Sequence, residues 1–123
     1  MSLDRKALIQ QYKQTPRPVG VGVVRNRVSG KTLVVAGVDI PSLLNRHQAQ
    51  LRRLRHGNKA LQDDWNSEGP DAFEFTVLDT IKPSDQPGYD PTEDLRVLEA
   101  LWLEKLQPFE PAGYQRRPGG AAV

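Results

Sequence analysis

The residue pattern predicts an α+β domain, a small three-stranded antiparallel sheet flanked by helices with a further helix at the amino terminus. Three observations carry that prediction. Residues 20 to 36 hold two β-branched runs on either side of a Ser29-Gly30-Lys31 turn, which is a hairpin signal. Residues 39 to 56 and 93 to 106 repeat apolar residues at intervals of three and four, the period of a helix with one buried face. Between them, residues 72 to 78 alternate as a strand does, with Phe73, Phe75 and Val77 on one side. At 123 residues the chain is sized for one domain with one core.

Taken in order, residues 2 to 14 read as a short amphipathic helix with Leu8 and Tyr12 on one face, ended by Thr15-Pro16-Arg17-Pro18. After the hairpin, Asp39 is placed to cap a helix, and Pro41 suits its first turn because no amide is lost there. Ile40, Leu44, His47, Leu51 and Leu54 form that helix's apolar stripe. His47 thus sits among leucines, either as a core residue with its ring nitrogens hydrogen-bonded or as a functional group. His56-Gly57-Asn58 breaks the helix. Residues 59 to 66 form a second one, with Leu61 and Trp65 turned inward, stopped at Gly69-Pro70. Residues 82 to 91, with three prolines, read as a loop, and Thr92 as the N-cap of the last helix. Leu95, Leu98, Trp102 and Leu106 mark its buried stripe. Glu99 falls within that stripe, either as an edge residue reaching water or an arginine, or as a buried carboxylate in need of a partner.

Composition removes several kinds of chemistry. With no cysteine there is no disulfide, thiol nucleophile or zinc thiolate, and two histidines are too few for a zinc site without carboxylates. No apolar run is long enough to span a bilayer, and the charged start MSLDRKALIQQYK lacks the order of a signal peptide, so the cytoplasm is the expected location. The net charge of +2 conceals an asymmetry: residues 1 to 60 hold 12 Lys and Arg against 2 Asp and Glu, and residues 61 to 123 hold 5 against 13. The basic half concentrates its charge in Arg46, Arg52, Arg53, Arg55 and Lys59, with no acidic residue between Asp39 and Asp63. Such a run is either a solvated face or a contact for several phosphates. No recognition-helix signature is visible, and aromatic residues are too sparse for a base-stacking platform.

The ordered set Gly20-Val21-Gly22, Arg25-Asn26, Ser29-Gly30-Lys31, Leu33-Val34-Val35-Ala36-Gly37, Asp39-Ile40 and His47 resembles the opening of the GIY-YIG nuclease family. That family's hairpin typically reads GIY-x-I-x-N-x2-N-G-K-x-Y-I-G-S-S and is followed by Asp-Ile and then by Arg and His. The similarity continues through HGNKALQDDWNSEGPDAFEFTVLD and LEALWLEKLQP, spanning residues 19 to 109. It implies a division into an amino-terminal helix and linker (1–18), a GIY-YIG-like domain (19–110) and a flexible tail (111–123). The altered hairpin is similar to that of a LuxR-like subgroup, some of whose members carry a transcriptional-regulator label.

Members of the family hydrolyse phosphodiesters with the tyrosines of the two tripeptides, an arginine and a histidine on the following helix, and a divalent metal held by one glutamate. Carried over by position, the first tyrosine is Gly22, the second is Leu33 and the arginine is Leu43, whereas His47 and Glu99 match the histidine and the metal-binding glutamate. Gln107-Pro108-Phe109-Glu110-Pro111 stands where a Pro-x-Tyr-Asn sequence would be expected. Glycine and leucine transfer no proton, and leucine offers a phosphate no bidentate donors. The resemblance therefore implies a catalytically degenerate domain that binds nucleic acid, with DNA expected, through Arg25, Arg27 and Lys31 of the hairpin and Arg46, Arg52, Arg53, Arg55 and Lys59. No cofactor is required for that role, and Mg2+ at Glu99 is the one the resemblance leaves open. A weak Mg2+-dependent DNA endonuclease retaining His47 and Glu99 is the alternative, and a protein-interaction module a second one. The oligomeric state stays open, a dimer included.

Overall fold

Strand β1 (Gly20–Asn26) lies at the centre of a three-stranded antiparallel sheet, between β2 (Thr32–Gly37) and β3 (Phe73–Thr80). Helices α1 (Ile40–Arg52) and α2 (Lys59–Glu68) fall between the second and third strands, and α3 (Thr92–Leu106) follows the sheet. This computed structural model describes residues 17–82 and 86–116. The helix expected over residues 2 to 14 lies outside the described residues. The α+β architecture read from the sequence is the one observed.

Alternation along β1 assigns its neighbours. Gly22, Val24 and Asn26 face one side, where Val24 joins Val35, Ile40, Leu44, Leu51, Leu61, Trp65, Phe73 and Tyr114 in a buried cluster. Trp65 meets Phe73 and Phe75 at ring-centroid distances of 5.4 and 6.4 Å, both in tilted or edge geometry that such rings favour. Val21 and Val23 point to the opposite face. Leu106 of α3 lines a cleft there with Val23, Arg25 and Thr32, so α3 covers the face that α1 does not. Because α3 lies on one layer only, none of its residues is fully buried, and Val97 and Leu101 stay exposed.

Local chemistry sets the element ends. Asp39 Oδ1 accepts from the Ser42 amide at 3.4 Å and Oδ2 from the Ser42 hydroxyl at 2.9 Å, and Pro41 sits in the first turn, as the sequence requires. The other end of α1 departs from expectation. The helix stops at Arg52, Leu54 adopts φ 60°, and the amides of Leu54 and Arg55 donate back to Leu51 and Gln50, a left-handed cap of Schellman type. Leu54 is thereby turned to solvent, 65% exposed, instead of completing the buried stripe. At α3 the N-cap falls one residue earlier than expected, on Pro91: Thr92 is the first helical residue, and Asp90 Oδ1 accepts from both its amide and its hydroxyl. Val77 shares the face of Phe73 and Phe75, as expected, since Phe73, Phe75 and Val77 pair in turn with Asn26, Val24 and Gly22, but it is 40% exposed.

Chain expected to be a flexible tail closes the core. Tyr114 is fully buried; its amide donates to the Thr32 carbonyl, and Gln115 Oε1 accepts from the Val34 amide at 2.9 Å, so β2 is bonded along its outer side. The packed chain thus runs past the expected boundary at residue 110, because a fully buried tyrosine supplies apolar area that Gly and Pro nearby do not. Its hydroxyl donates to Asp64 at 2.7 Å and accepts from Asn26 Nδ2 at 3.0 Å, while that same amide group reaches Glu68 at 2.6 Å. Asn26 Oδ1 accepts from the Val28 and Ser29 amides and so shapes the hairpin turn, in which Gly30 takes φ 79°. Among the described residues no buried side-chain nitrogen or oxygen lacks a partner.

Candidate functional site

The inner side of α1 gathers three of the positions singled out in the sequence. Leu33 pairs across the sheet with Val24, on the face that Gly22 shares, and both Leu33 and Leu43 pack against the buried cluster. A Cβ placed on Gly22 would stand 3.0 Å from Leu44 Cδ1, 3.1 Å from the Thr76 carbonyl oxygen and 3.2 Å from Ile40 Cδ1. The direction in which a side chain would leave position 22 is therefore already filled by α1. Gly22, Leu33 and Leu43 themselves carry no proton to transfer and no cation.

His47 is half-buried, one turn along α1 from Leu43 and Leu44, and it does not stand alone. Its Nδ1 lies 2.7 Å from Nε2 of His56, the rings tilted by 36° at a centroid distance of 5.0 Å. Burial, reinforced by His56 and by the positive charge of Arg46, depresses His47 to a pKa of about 4, and burial lowers His56 as well. Both rings are neutral at pH 7. His56 owes its position to Gln62, which is buried, accepts from the His56 amide at 2.9 Å and donates to the Leu51 carbonyl at 3.1 Å. Asn58 caps α2 through the Leu61 amide and ties the same turn to the Tyr114 carbonyl at 2.7 Å.

Glu99 is half-buried on α3, the helix that covers the other face of the sheet from Gly22, Leu33 and α1. Among the described residues no group of three or more His, Asp or Glu side chains comes together in a manner able to hold a metal.

The eight cations expected to meet nucleic acid separate into three groups. Arg25 and Arg27 reach Glu74 at 3.8 and 3.4 Å on the β1–β3 pair. Lys31 and Lys59 line a single cleft of about 440 Å3 together with Asn58, Asp63, Glu110 and Arg116, and Lys59 already pairs with Asp63 at 3.1 Å. Arg46, Arg52, Arg53 and Arg55 are exposed, and among the described residues no carboxylate comes within ion-pair distance of any of them.

His56, Gln62 and Tyr114 were not marked as site-building residues by the sequence. The available signal was that His56 is the second of only two histidines and precedes a Gly-Asn turn, but nine residues along an uninterrupted helix would have placed it away from His47. Only the helix stop at Arg52 brings the two rings together.

No family model matches the chain, and no curated protein matches it. Two solved structures do. The catalytic domain of the homing endonuclease I-TevI superposes with a TM-score of 0.65 at 22% identity, covering 81% of this chain and 99% of that one. A second structure of the I-TevI catalytic domain, a variant with one glutamate replaced by alanine, gives 0.64 at 21% identity over 80% and 92%. At such identities the likeness concerns the backbone. With its sheet order, its helices on both faces and this superposition, the chain shares the fold of the I-TevI catalytic domain.

Proposed function

We propose that this domain binds nucleic acid, with duplex or branched DNA the expected ligand, through the basic end of α1, and that it does so without cutting. The observation that carries the reading is the set of four exposed arginines, Arg46, Arg52, Arg53 and Arg55, with no carboxylate partner among the described residues. A helix C-terminus gains from a single cation about 0.3–1 kcal/mol through its dipole, which does not account for four. Four clustered guanidiniums repel one another unless an anion meets them, and a phosphate backbone presents anions at suitable spacing. The likeness in fold to an endonuclease catalytic domain agrees with a nucleic-acid ligand.

Against cutting stand Gly22, Leu33 and Leu43. General acid or base catalysis contributes about 100–10,000 fold, and the loss of one donor to a developing oxyanion costs about 100–1,000 fold. Glu99 would hold Mg2+ in a weak endonuclease, where the ion would polarise the scissile phosphate, and His47 would then be the remaining side chain from the family set.

The test is an anisotropy titration of labelled single-stranded, duplex and branched DNA at low and physiological salt with Mg2+ present, the probes afterwards run on a denaturing gel. Binding with a steep salt dependence and intact probes is the expected result. Cut probes that become intact with Glu99→Gln would establish the endonuclease instead. Absence of binding at low salt would overturn both and leave a protein partner for the acidic and basic halves.

A further inference from the structure

The two histidines form a directed pair, and the backbone sets its direction. The Asn58 amide lies 3.0 Å from His56 Nδ1. An amide N–H has only a proton to give, so Nδ1 must present a lone pair, and a neutral His56 then carries its proton on Nε2. That Nε2 stands 2.7 Å from Nδ1 of His47, a distance that one proton can bridge and two cannot share. His56 Nε2–H therefore donates, His47 Nδ1 accepts, and a neutral His47 bears its own proton on Nε2.

We propose that His56 is a positioning residue: anchored by the Asn58 amide, it fixes His47 as the Nε2–H tautomer, a neutral donor for a phosphate oxygen and not a general base. For Nε2 of His47 to accept a proton from water or a hydroxyl, its hydrogen would have to move to Nδ1. That hydrogen would point at His56 Nε2, which would have to give up its own, and the displaced proton would arrive at His56 Nδ1 facing the Asn58 N–H. Two donors would then oppose each other across 3.0 Å. The turn has little freedom to relieve this, because Gln62 holds the His56 amide and Asn58 holds both the start of α2 and the Tyr114 carbonyl. The low basicity of half-buried His47 supports the arrangement, since a protonated His47 Nδ1 would erase the direction. The phosphate role rests on the nucleic-acid reading above; the tautomer does not.

The tautomers are read directly by long-range proton–nitrogen correlation of the imidazoles in the full 15N-labelled chain at pH 7.5. Both rings should show Nε2 in the protonated range and Nδ1 in the unprotonated range. A His47 with protonated Nδ1, or with its two nitrogens averaged, overturns the proposal in the wild-type protein without recourse to any variant. His56→Gln, whose amide can still donate, should preserve the His47 pattern, and His56→Ala should let its two nitrogens average. On adding a short blunt DNA duplex, the His47 Nε2 proton should shift while Nδ1 remains unprotonated. Binding that leaves this proton unmoved refutes the phosphate contact. Absence of binding, seen separately by anisotropy, removes the phosphate role together with the nucleic-acid reading, and the tautomer is still decided by the free protein's spectrum.

Discussion

Helix α1 presents two unlike surfaces. Its inner side, with Ile40, Leu43 and Leu44, fills the space beneath Gly22 and Leu33 with hydrocarbon. Its far end, from Arg46 to the turn after Arg52, exposes four cations that nothing in the described protein neutralises. The first surface is filled with hydrocarbon; the second carries like charges that repel one another and that, on the proposed function, would meet a phosphate backbone. A ligand site and a reaction site make different demands, and on the proposed function one helix would meet the first demand at one end and neither demand on its inner side.

The largest effect should come from the cationic end. Replacing Arg52, Arg53 and Arg55 together by Ala removes three phosphate contacts, and each is worth about 0.9 in the slope of log affinity against log salt, so the slope should flatten by about 3. These side chains are exposed, and circular dichroism should show an unchanged fold. An unaltered slope would mean that the free arginines face solvent only, and the contrast between the two surfaces would lose its functional meaning.

The inner side is tested by Gly22→Tyr. A Cβ there already meets three atoms at 3.0–3.2 Å, two of them at the ends of Leu44 and Ile40 and one a backbone oxygen that cannot swing away. Overpacking of this kind costs about 1–3 kcal/mol, read as a lower urea midpoint with an unchanged slope. A variant as stable as the parent would show that the surface has room for the aromatic ring, and would restore the endonuclease as a serious reading.

Between the two surfaces lies His47, whose depressed basicity makes a pH prediction. The folded protein binds the His47 proton only near pH 4, whereas the unfolded chain binds it near 6.5. The unfolded state therefore carries the extra proton between those values, so this contribution to stability is complete above pH 6.5 and is lost as pH falls from 6.5 to 4. His56, lowered in the same direction, adds to the trend. His47→Gln, which can still accept from His56 through its amide oxygen, should reduce the slope of melting temperature against pH in that window. An identical slope in the variant would place the acid sensitivity elsewhere.

The fold was legible because its signals are local. β-Branched runs around Ser29-Gly30-Lys31, Asp39 before Pro41, and the Leu61 and Trp65 pair each depend on neighbours a few residues away, and each appears where expected. What escaped depends on residues far apart. Tyr114 is written among Gly, Pro and Ala, yet its partners Asn26, Asp64 and Thr32 lie 50 or more residues away, and no period announces them. The His47–His56 pair depends on Leu54 taking a left-handed conformation, which sequence propensity assigns to glycine or asparagine. Charge was legible as a count but not as an availability, since Glu74 lies 49 residues beyond Arg25 in sequence and opposite it across the sheet.

That last point gives the smallest and sharpest prediction. Arg25 and Arg27 keep side-chain exposures of 55% and 58% beside Glu74, so their pairing is solvent-screened, and Glu74→Gln should change stability by less than about 1 kcal/mol. The substitution removes one negative charge and releases two guanidiniums. If the hairpin adjoins the bound backbone, affinity for duplex DNA should rise at low salt and its salt slope should steepen by about 1 or less, well short of what the three helix arginines contribute. A rise as large as the loss from the arginine triple variant would show that the two basic groups differ only because one is masked, and that the interface extends across the hairpin. No rise at all would show that the difference is one of place: the hairpin cations serve the sheet edge, and the end of α1 alone meets the ligand.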